Sequence, residues 1–161
     1  MIKVLICEDD AAISEMYKMK FEDEGFSVLQ AFDGEETVKK AKEEKPDIIL
    51  LDVMMPKKEG PQVLLDFKND EATQGIPVIF LTNIGGRIED TKAAQELGVE
   101  DLIVKSKVIP QDVIVKVREV PKIRYSQDLS YDTTALVSFA TYGVFRHPIV
   151  EARNHRNHER D

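Results

Sequence analysis

The sequence has no tryptophan, a single cysteine (Cys7), and no long uninterrupted apolar run among its 161 residues. One cysteine excludes an internal disulfide and fits a protein of the reducing cytoplasm. A membrane-spanning helix needs about 18 or more apolar residues in a row, so none is expected. The apolar start, residues 1–7, is too short for a secretory signal and is followed directly by acidic residues. We therefore expect a cytoplasmic protein that does not engage a membrane.

Basic residues are also fewer than acidic ones, with 22 Lys and Arg against 30 Asp and Glu. An acidic chain is a poor general ligand for nucleic acid, and no effector-type DNA-binding pattern follows the main domain, so no direct DNA binding is expected. Residues 1–120 contain 25 acidic and 16 basic residues, whereas residues 121–161 contain 5 and 6. We predict a domain over 1–120 and a C-terminal extension over 121–161 whose polar end is disordered.

Short apolar runs alternate with amphipathic stretches along the main domain. The run Ile48–Leu51 has no polar residue, which is typical of a strand buried on both faces of a parallel sheet. Four more strands are predicted at 2–7, 26–31, 77–81 and 102–104, and five helices at 11–24, 34–44, from Pro61, at 87–97 and from Pro110. Strands that alternate with helices predict a parallel sheet with right-handed crossovers.

The first two helices carry recognisable end signals. Asp10 and Asp33 are good N-cap residues, and Gly25 is suited to end the first helix. The residues at helical spacing in the first helix, expected on its buried face, are Ile13, Met16, Tyr17 and Phe21.

Reactive side chains follow four of the five predicted strands. They are Glu8 and Asp9 after the first strand, Asp52 after the third, Thr82 after the fourth and Lys105 after the fifth. If these strands are neighbours, the groups meet in one crevice at the carboxyl edge of the sheet. A single Asp after a strand is usually a helix cap, but four strand ends that all carry such groups favour a functional site.

Three crowded carboxylates repel one another and raise one another's pKa, so the predicted crevice needs positive charge. Lys105 supplies one charge, and a hard divalent cation such as Mg²⁺ suits one or two carboxylates together with water and phosphate. A carboxylate can also act as a nucleophile and form an aspartyl phosphate. Phosphoryl transfer depends mainly on positioning and on cations at the phosphoryl oxygens.

Residues 1–120 resemble the receiver domain of two-component response regulators, of the chemotaxis-regulator type. The resemblance rests on Glu8 and Asp9, on the segment 52–60 (DVMMPKKEG), on Thr82 and on Lys105. It implies a flavodoxin-like α/β fold, with a doubly wound parallel sheet of five strands in the order 2-1-3-4-5.

The resemblance also implies a role for each of these residues. Asp52 matches the phosphoacceptor. Asp9, Asp52 and the backbone carbonyl of Met54 would bind Mg²⁺, and Glu8 would assist through water. Lys105 and Thr82 would contact the phosphoryl group, and Thr82 would turn inward to do so.

Three positions depart from the family pattern. Leu102 stands where the family usually has an aromatic switch residue, so the coupled movement with Thr82 is expected to change. Ser106 replaces a proline that usually follows a cis bond, and a non-proline cis bond costs about 3 kcal/mol, so either a trans bond or strain is expected. Asn83 replaces a small residue and is expected to narrow the access of phosphodonors.

The leading hypothesis is a stand-alone signalling switch, phosphorylated on Asp52 by a sensor histidine kinase or a phosphotransfer protein. It would not be a classical enzyme, since Mg²⁺-dependent self-phosphorylation and slow autodephosphorylation would be its only activities. Met54 and Ile84 flank the acceptor and cannot orient a water molecule, so a long-lived phosphate is expected. The expected downstream partner is a protein bound at the 87–120 face, and a homodimer is left open.

Three alternatives differ in class from this hypothesis. A phosphate-independent interaction module is favoured slightly by Leu102 and Ser106 and opposed by the complete set of acid, hydroxyl and amine groups. A phosphohydrolase would use Asp52 as its nucleophile, but the second Asp that such enzymes commonly carry two residues later is Met54 here. A flavin-binding protein is disfavoured because no Gly-rich phosphate loop follows the first strand.

Overall fold

The computed structural model describes residues 1–83 and 98–123, together with residues 92, 95 and 96. In chain order the elements are β1 (Lys3–Cys7), α1 (Ala11–Asp23), β2 (Ser27–Ala31), α2 (Gly34–Glu44), β3 (Ile48–Asp52), α3 (Gly60–Lys68), β4 (Val78–Thr82), β5 (Asp101–Val104) and α4 (Pro110–Glu119). A short 3₁₀ helix, Lys105–Lys107, follows β5 directly. Most of the helix predicted over 87–97 lies outside the described residues, and so do Ile84 and residues 124–161.

The five strands form one parallel sheet in the order β2-β1-β3-β4-β5. This is the predicted flavodoxin-like order, in which β1, β3, β4 and β5 are consecutive neighbours. The central strand β3 is buried along its whole length, as its unbroken apolar run predicted. Helices cover both faces of the sheet, which is why its inner strands need no polar face.

Alternate residues of the strands pack into two separate core layers. One layer joins the sheet to α1 and α4, through residues such as Phe21 and Val117. The other joins it to α2 and α3, through residues such as Ala41 and Phe67. Ile123, which follows α4, is also buried in the first layer. No helix in the described ranges is long and apolar enough to cross a membrane.

The buried face of α1 differs from the predicted one. Tyr17 and Phe21 are buried as expected, but Met16 is 45% exposed. The buried face instead includes Ser14, which is fully buried. Its hydroxyl accepts a hydrogen bond of 2.8 Å from Nε2 of Gln30, and this bond offsets the cost of burying a polar group. The apolar pattern alone did not contain this information.

The helix-end predictions are confirmed by backbone geometry. The Asp10 carboxylate accepts hydrogen bonds from the N–H groups of Ala12 and Ile13, and the Asp33 carboxylate accepts one from Glu36. Gly25 follows α1 with a φ of 86°, a left-handed conformation that glycine adopts without strain. These caps place the start of α1 immediately after the acidic residues that follow β1.

Cys7 is expected to resist alkylation in the folded protein. The residue is fully buried, and burial raises the pKa of its thiol to about 12. Since the thiolate is the reactive species, iodoacetamide at pH 8 should leave the native protein unlabelled and add one group in urea. Intact mass measures the labelling. Comparable labelling of the folded and the urea-unfolded protein would contradict the burial of Cys7.

Candidate functional site

The acidic residues that end β1 and β3 come together at the carboxyl edge of the sheet. These strands are direct neighbours, with Cys7 opposite Leu51, so the residues that follow them lie side by side. One carboxylate oxygen from each of Glu8, Asp9 and Asp52 lies within 4.8 Å of the other two. Glu8 and Asp52 are 2% and 4% exposed, whereas Asp9 is exposed to solvent.

Lys105, the first residue of the 3₁₀ helix after β5, brings positive charge into this cluster. Its Nζ lies 2.7 Å from Oδ2 of Asp52 and also forms an ion pair with Glu8. The Lys105 side chain is only 9% exposed. The sequence separates Lys105 from Asp52 by 53 positions, and their contact depends on the tertiary order of the strands.

Burial and ion pairing determine the protonation of this cluster together. Burial raises the pKa of the Glu8 carboxyl above its ordinary value; the bond to Lys105 opposes that rise, and the charge of Asp52 adds to it. Burial lowers the pKa of Lys105, but its bonds to Asp52 and Glu8 have the larger combined effect and leave the pKa raised. Lys105 therefore remains a cation at neutral pH, as two buried carboxylates require.

Backbone groups orient the two buried carboxylates. The N–H of Met54 donates to Oδ1 of Asp52 over 3.0 Å, and the N–H of Asp10 donates to Oε1 of Glu8 over 3.2 Å. Each oxygen of Asp52 therefore has its own donor. Gly60 lies so close beneath this strand end that a Cβ would stand 2.6 Å from the carbonyl oxygen of Asp52. A larger residue at Gly60 would displace the acceptor's backbone.

Thr82 lies at the adjoining end of β4. It is 6% exposed, and its hydroxyl donates to the carbonyl oxygen of Asn83 over 3.1 Å. The Thr82 hydroxyl could therefore exchange this backbone carbonyl for another acceptor near the acidic cluster. Asn83 itself is exposed. The structure therefore brings all five predicted strand-end groups to one edge, where their individual roles stay predictions.

Leu102 and Ser106, two of the three departures from the family pattern, lie on β5 and in the 3₁₀ helix that follows it. Leu102 pairs with Phe80 across the sheet and is partly buried against the α2–α3 core layer. Ser106 lies in the 3₁₀ helix, and no peptide bond between described residues is cis. The chain therefore places Lys105 in the site with a trans bond to Ser106.

The contacts that hold the loop 53–59 were not predicted from the sequence. Gly34 packs against the backbone of Lys58, and Lys57 forms an ion pair with Asp33. Asp33 was recognised only as a cap. The sequence signal that could have revealed these contacts is Gly34, directly after the Asp33 cap. Most residues are tolerated at a helix start, so a glycine there indicates a close approach of another segment.

A family model for the response regulator receiver domain matches residues 4–118. The chain belongs to this family. Receivers are signalling switches of two-component systems rather than classical enzymes. Together with the strand order, this membership confirms the predicted family and fold.

Solved receiver structures are similar to this chain over most of its length. A CheY-like receiver domain protein from Methanospirillum hungatei matches with a TM-score of 0.70 and 27% identity, covering 80% of this chain and 98% of its own. The chemotaxis protein CheY4 of Vibrio cholerae matches with a TM-score of 0.68 and 26% identity, covering 74% and 98%.

Curated relatives are larger proteins. The phosphate regulon transcriptional regulatory protein PhoB of Escherichia coli is 35% identical over 118 residues, which are 73% of this chain and 51% of PhoB. The DNA-binding dual master transcriptional regulator RpaA of Synechocystis is 38% identical over 105 residues, 65% and 43% of the two chains. This receiver spans about half the length of the curated relatives it matches.

These relatives correct the partner prediction. No direct DNA binding was expected, and the downstream partner was expected to be a protein bound at the 87–120 face, yet PhoB and RpaA are named as transcriptional regulators and RpaA as DNA-binding. The expectation was wrong because it relied on net charge and on the absence of an effector pattern in this chain.

Proposed function

We propose that this receiver is a phosphorylation-dependent switch whose acceptor is Asp52. The observation that carries the proposal is the environment of that carboxylate. One oxygen is 2.7 Å from the Lys105 ammonium and the other accepts the Met54 N–H, in a cluster with two further acids. A buried carboxylate with a fixed orientation and a neighbouring cation suits nucleophilic attack on phosphorus.

We propose Mg²⁺ as the cofactor, held by Asp9, Asp52 and the Met54 carbonyl, with Glu8 assisting through water. The donor set fits, because carboxylate and carbonyl oxygens are the ligands that hard divalent cations prefer. Three carboxylates facing one ammonium also leave an excess of negative formal charge. Bound there, the ion would neutralise charge on the phosphoryl oxygens.

The reaction proposed for these residues is a direct transfer. An Asp52 oxygen forms a bond to phosphorus as the donor's bond to phosphorus breaks, and the donor leaves with that electron pair. Lys105 moves from the Asp52 carboxylate to the phosphoryl oxygens and keeps its charge throughout. Thr82 exchanges the Asn83 carbonyl for the phosphoryl group, which couples β4 to the state of Asp52.

We further propose a receiver domain over 1–120 and an appended segment over 121–161, with a sensor histidine kinase or phosphotransfer protein as the donor. Output is proposed to reach a DNA-binding effector, since the curated relatives are named transcriptional regulators and are about twice as long as the matched region. The family membership supports the kinase, and the names of the relatives support the effector.

The proposal is tested by intact mass after incubation with acetyl phosphate. We expect the gain of one phosphoryl group with Mg²⁺ and almost none with excess EDTA. Beryllofluoride, which mimics an acyl phosphate, should raise the melting temperature under the same Mg²⁺ dependence. If neither reagent has an effect, the proposal fails and a phosphate-independent interaction module becomes the better account.

The phosphorylated protein is expected to lose its phosphate slowly. Met54 is 68% exposed beside Asp52, and its apolar side chain cannot orient water for attack on the acyl phosphate. Met54→Asn should accelerate the loss about tenfold, which is less than the roughly 100-fold that a well-placed general base supplies. The decay of phosphoprotein in intact mass spectra measures the rate.

Met19→Asn is the matched control, because Met19 is also exposed, at 59%, but lies on α1. It should leave the decay unchanged. Rapid dephosphorylation of the unaltered protein, or equal decay in the Met54 and Met19 variants, would contradict the expectation.

A further inference from the structure

The loop between β3 and α3, residues 53–59, is held from outside by the turn that begins α2. The N–H of Gly34 donates to the carbonyl oxygen of Pro56 over 3.1 Å, and the same oxygen accepts from the N–H of Lys58 over 2.7 Å. The turn therefore contacts the loop near its centre, a few residues after Asp52.

The contact at Gly34 leaves no room for a side chain. A Cβ there would lie 2.0 Å from the carbonyl oxygen of Lys58 and 2.6 Å from its Cβ. Gly34 is not among the residues with positive φ, so the requirement for glycine comes from this close approach. Any other residue would push the loop backbone away from α2.

A charge pair adds a second contact between the turn and the loop. Nζ of Lys57 lies 3.1 Å from Oδ2 of Asp33, while Oδ1 of Asp33 accepts the N–H of Glu36 over 2.8 Å. One carboxylate thus caps α2 and binds the loop. Lys57 has a φ of 65°, a conformation uncommon for residues with a Cβ, so the loop turns sharply where Asp33 binds it.

The held loop connects directly to the acceptor. Its second residue, Met54, donates its N–H to Asp52, and the N–H of Gly60 at the far end donates to the carbonyl of Val53 over 2.8 Å. The bond from Gly60 therefore closes the loop on its own first residue, directly after Asp52 at the end of β3. If residues 57–58 are displaced, the backbone of the rest of the loop has to shift with them, and this part includes Met54.

We propose that Asp33 and Gly34 are positioning residues for the phosphorylation of Asp52. They hold residues 53–59 so that the Met54 backbone stays in place beside the acceptor and the metal-binding carboxylates. Both act through the loop, by contact with Pro56, Lys57 and Lys58. This inference rests on the function proposed above and adds to it two residues from a different helix.

The test is Gly34→Ala, measured by calorimetric titration with MgCl₂ and by the rate of phosphoryl uptake from acetyl phosphate. Misplacement by about 1 Å can cost on the order of 100-fold in a positioned reaction, so we expect affinity and rate to fall about tenfold to 100-fold. Val117→Ala provides a control of reduced stability, because it removes buried volume from the opposite core layer. It should change neither quantity. Equal losses in both variants would show a general effect of stability and overturn the proposal.

Asp33→Ser is a milder second variant in case Gly34→Ala fails to fold. Serine can still cap α2, but the charge that binds Lys57 is lost. We expect a two- to fivefold loss of Mg²⁺ affinity, about the contribution of an exposed pair, and the difference from wild type should shrink in high salt. Unchanged affinity in low salt would overturn the charge contribution.

If the wild type itself neither binds Mg²⁺ nor takes up phosphate, the proposed function fails and this inference fails with it. If the wild type is active and the Asp33 and Gly34 variants are unaffected, the inference alone is refuted.

Discussion

Asp52→Asn is expected to abolish phosphoryl uptake from acetyl phosphate, with no residual adduct in the intact mass. The amide is nearly isosteric with the carboxylate and keeps an oxygen for the Met54 N–H, but it has no anionic oxygen to attack phosphorus. Because the change also removes one of three crowded negative charges, the fold should be retained. The loss of uptake can therefore be assigned to chemistry.

The controls for this experiment are two other acidic residues. Asp23→Asn alters an exposed carboxylate at the end of α1 and should take up phosphate like the wild type. Asp9→Asn should take it up slowly and with a higher requirement for Mg²⁺, since it retains the acceptor and loses a proposed ligand. Stoichiometric uptake by the Asp52 variant would show that another residue is the acceptor.

Lys105→Met is expected to lower the free energy of unfolding by about 3–5 kcal/mol, the cost of removing one partner from a buried ion pair. Methionine preserves the apolar stem, so the effect reports on charge. The substitution leaves Glu8 and Asp52 buried without their cation, at side-chain exposures of 2% and 5%. Urea denaturation without divalent ions measures the loss, and millimolar Mg²⁺ should restore part of it.

The loss should depend on pH in a definite direction. The pKa of Glu8 is already raised in the folded state, chiefly by burial, and Lys105 opposes that rise. Without Lys105 the folded protein binds more protons than the unfolded chain between the ordinary and the raised pKa of Glu8. Stability of the variant therefore increases as the pH falls through that window. The difference from wild type should therefore shrink as the pH is lowered through that window.

Lys107→Met is the matched control, because Lys107 lies in the same 3₁₀ helix with its side chain exposed. It should change stability by less than about 0.5 kcal/mol. A Lys105 variant as stable as this control would mean that the buried cluster does not need its cation.

Much of the fold could be predicted from local patterns. Short apolar runs identified the strands, and β3, whose run Ile48–Leu51 has no polar residue, is buried throughout. Asp10 and Asp33 marked helix starts because a short acidic side chain satisfies the free N–H groups there. Each of these signals acts over a few residues, and the backbone responds to it locally.

Predictions failed where the outcome depended on distant groups. Met16 has the same spacing as its buried neighbours, but Ser14 takes the buried place because Gln30, on β2, supplies its hydrogen bond. The partner prediction failed because it relied on the net charge and the motifs of this chain, whereas the relatives named as transcriptional regulators are about twice as long as the region matched here.

The sequence by itself determined the strands, their order in the chain, and a list of groups that follow them: Glu8, Asp9, Asp52, Thr82 and Lys105. Those groups become a site only when β1, β3, β4 and β5 lie side by side. Tertiary structure alone decided that Lys105 reaches both Asp52 and Glu8, and that Gly34 meets the loop beside the acceptor. The reason is that ion pairing and close packing act between atoms a few ångströms apart, whatever their separation along the chain.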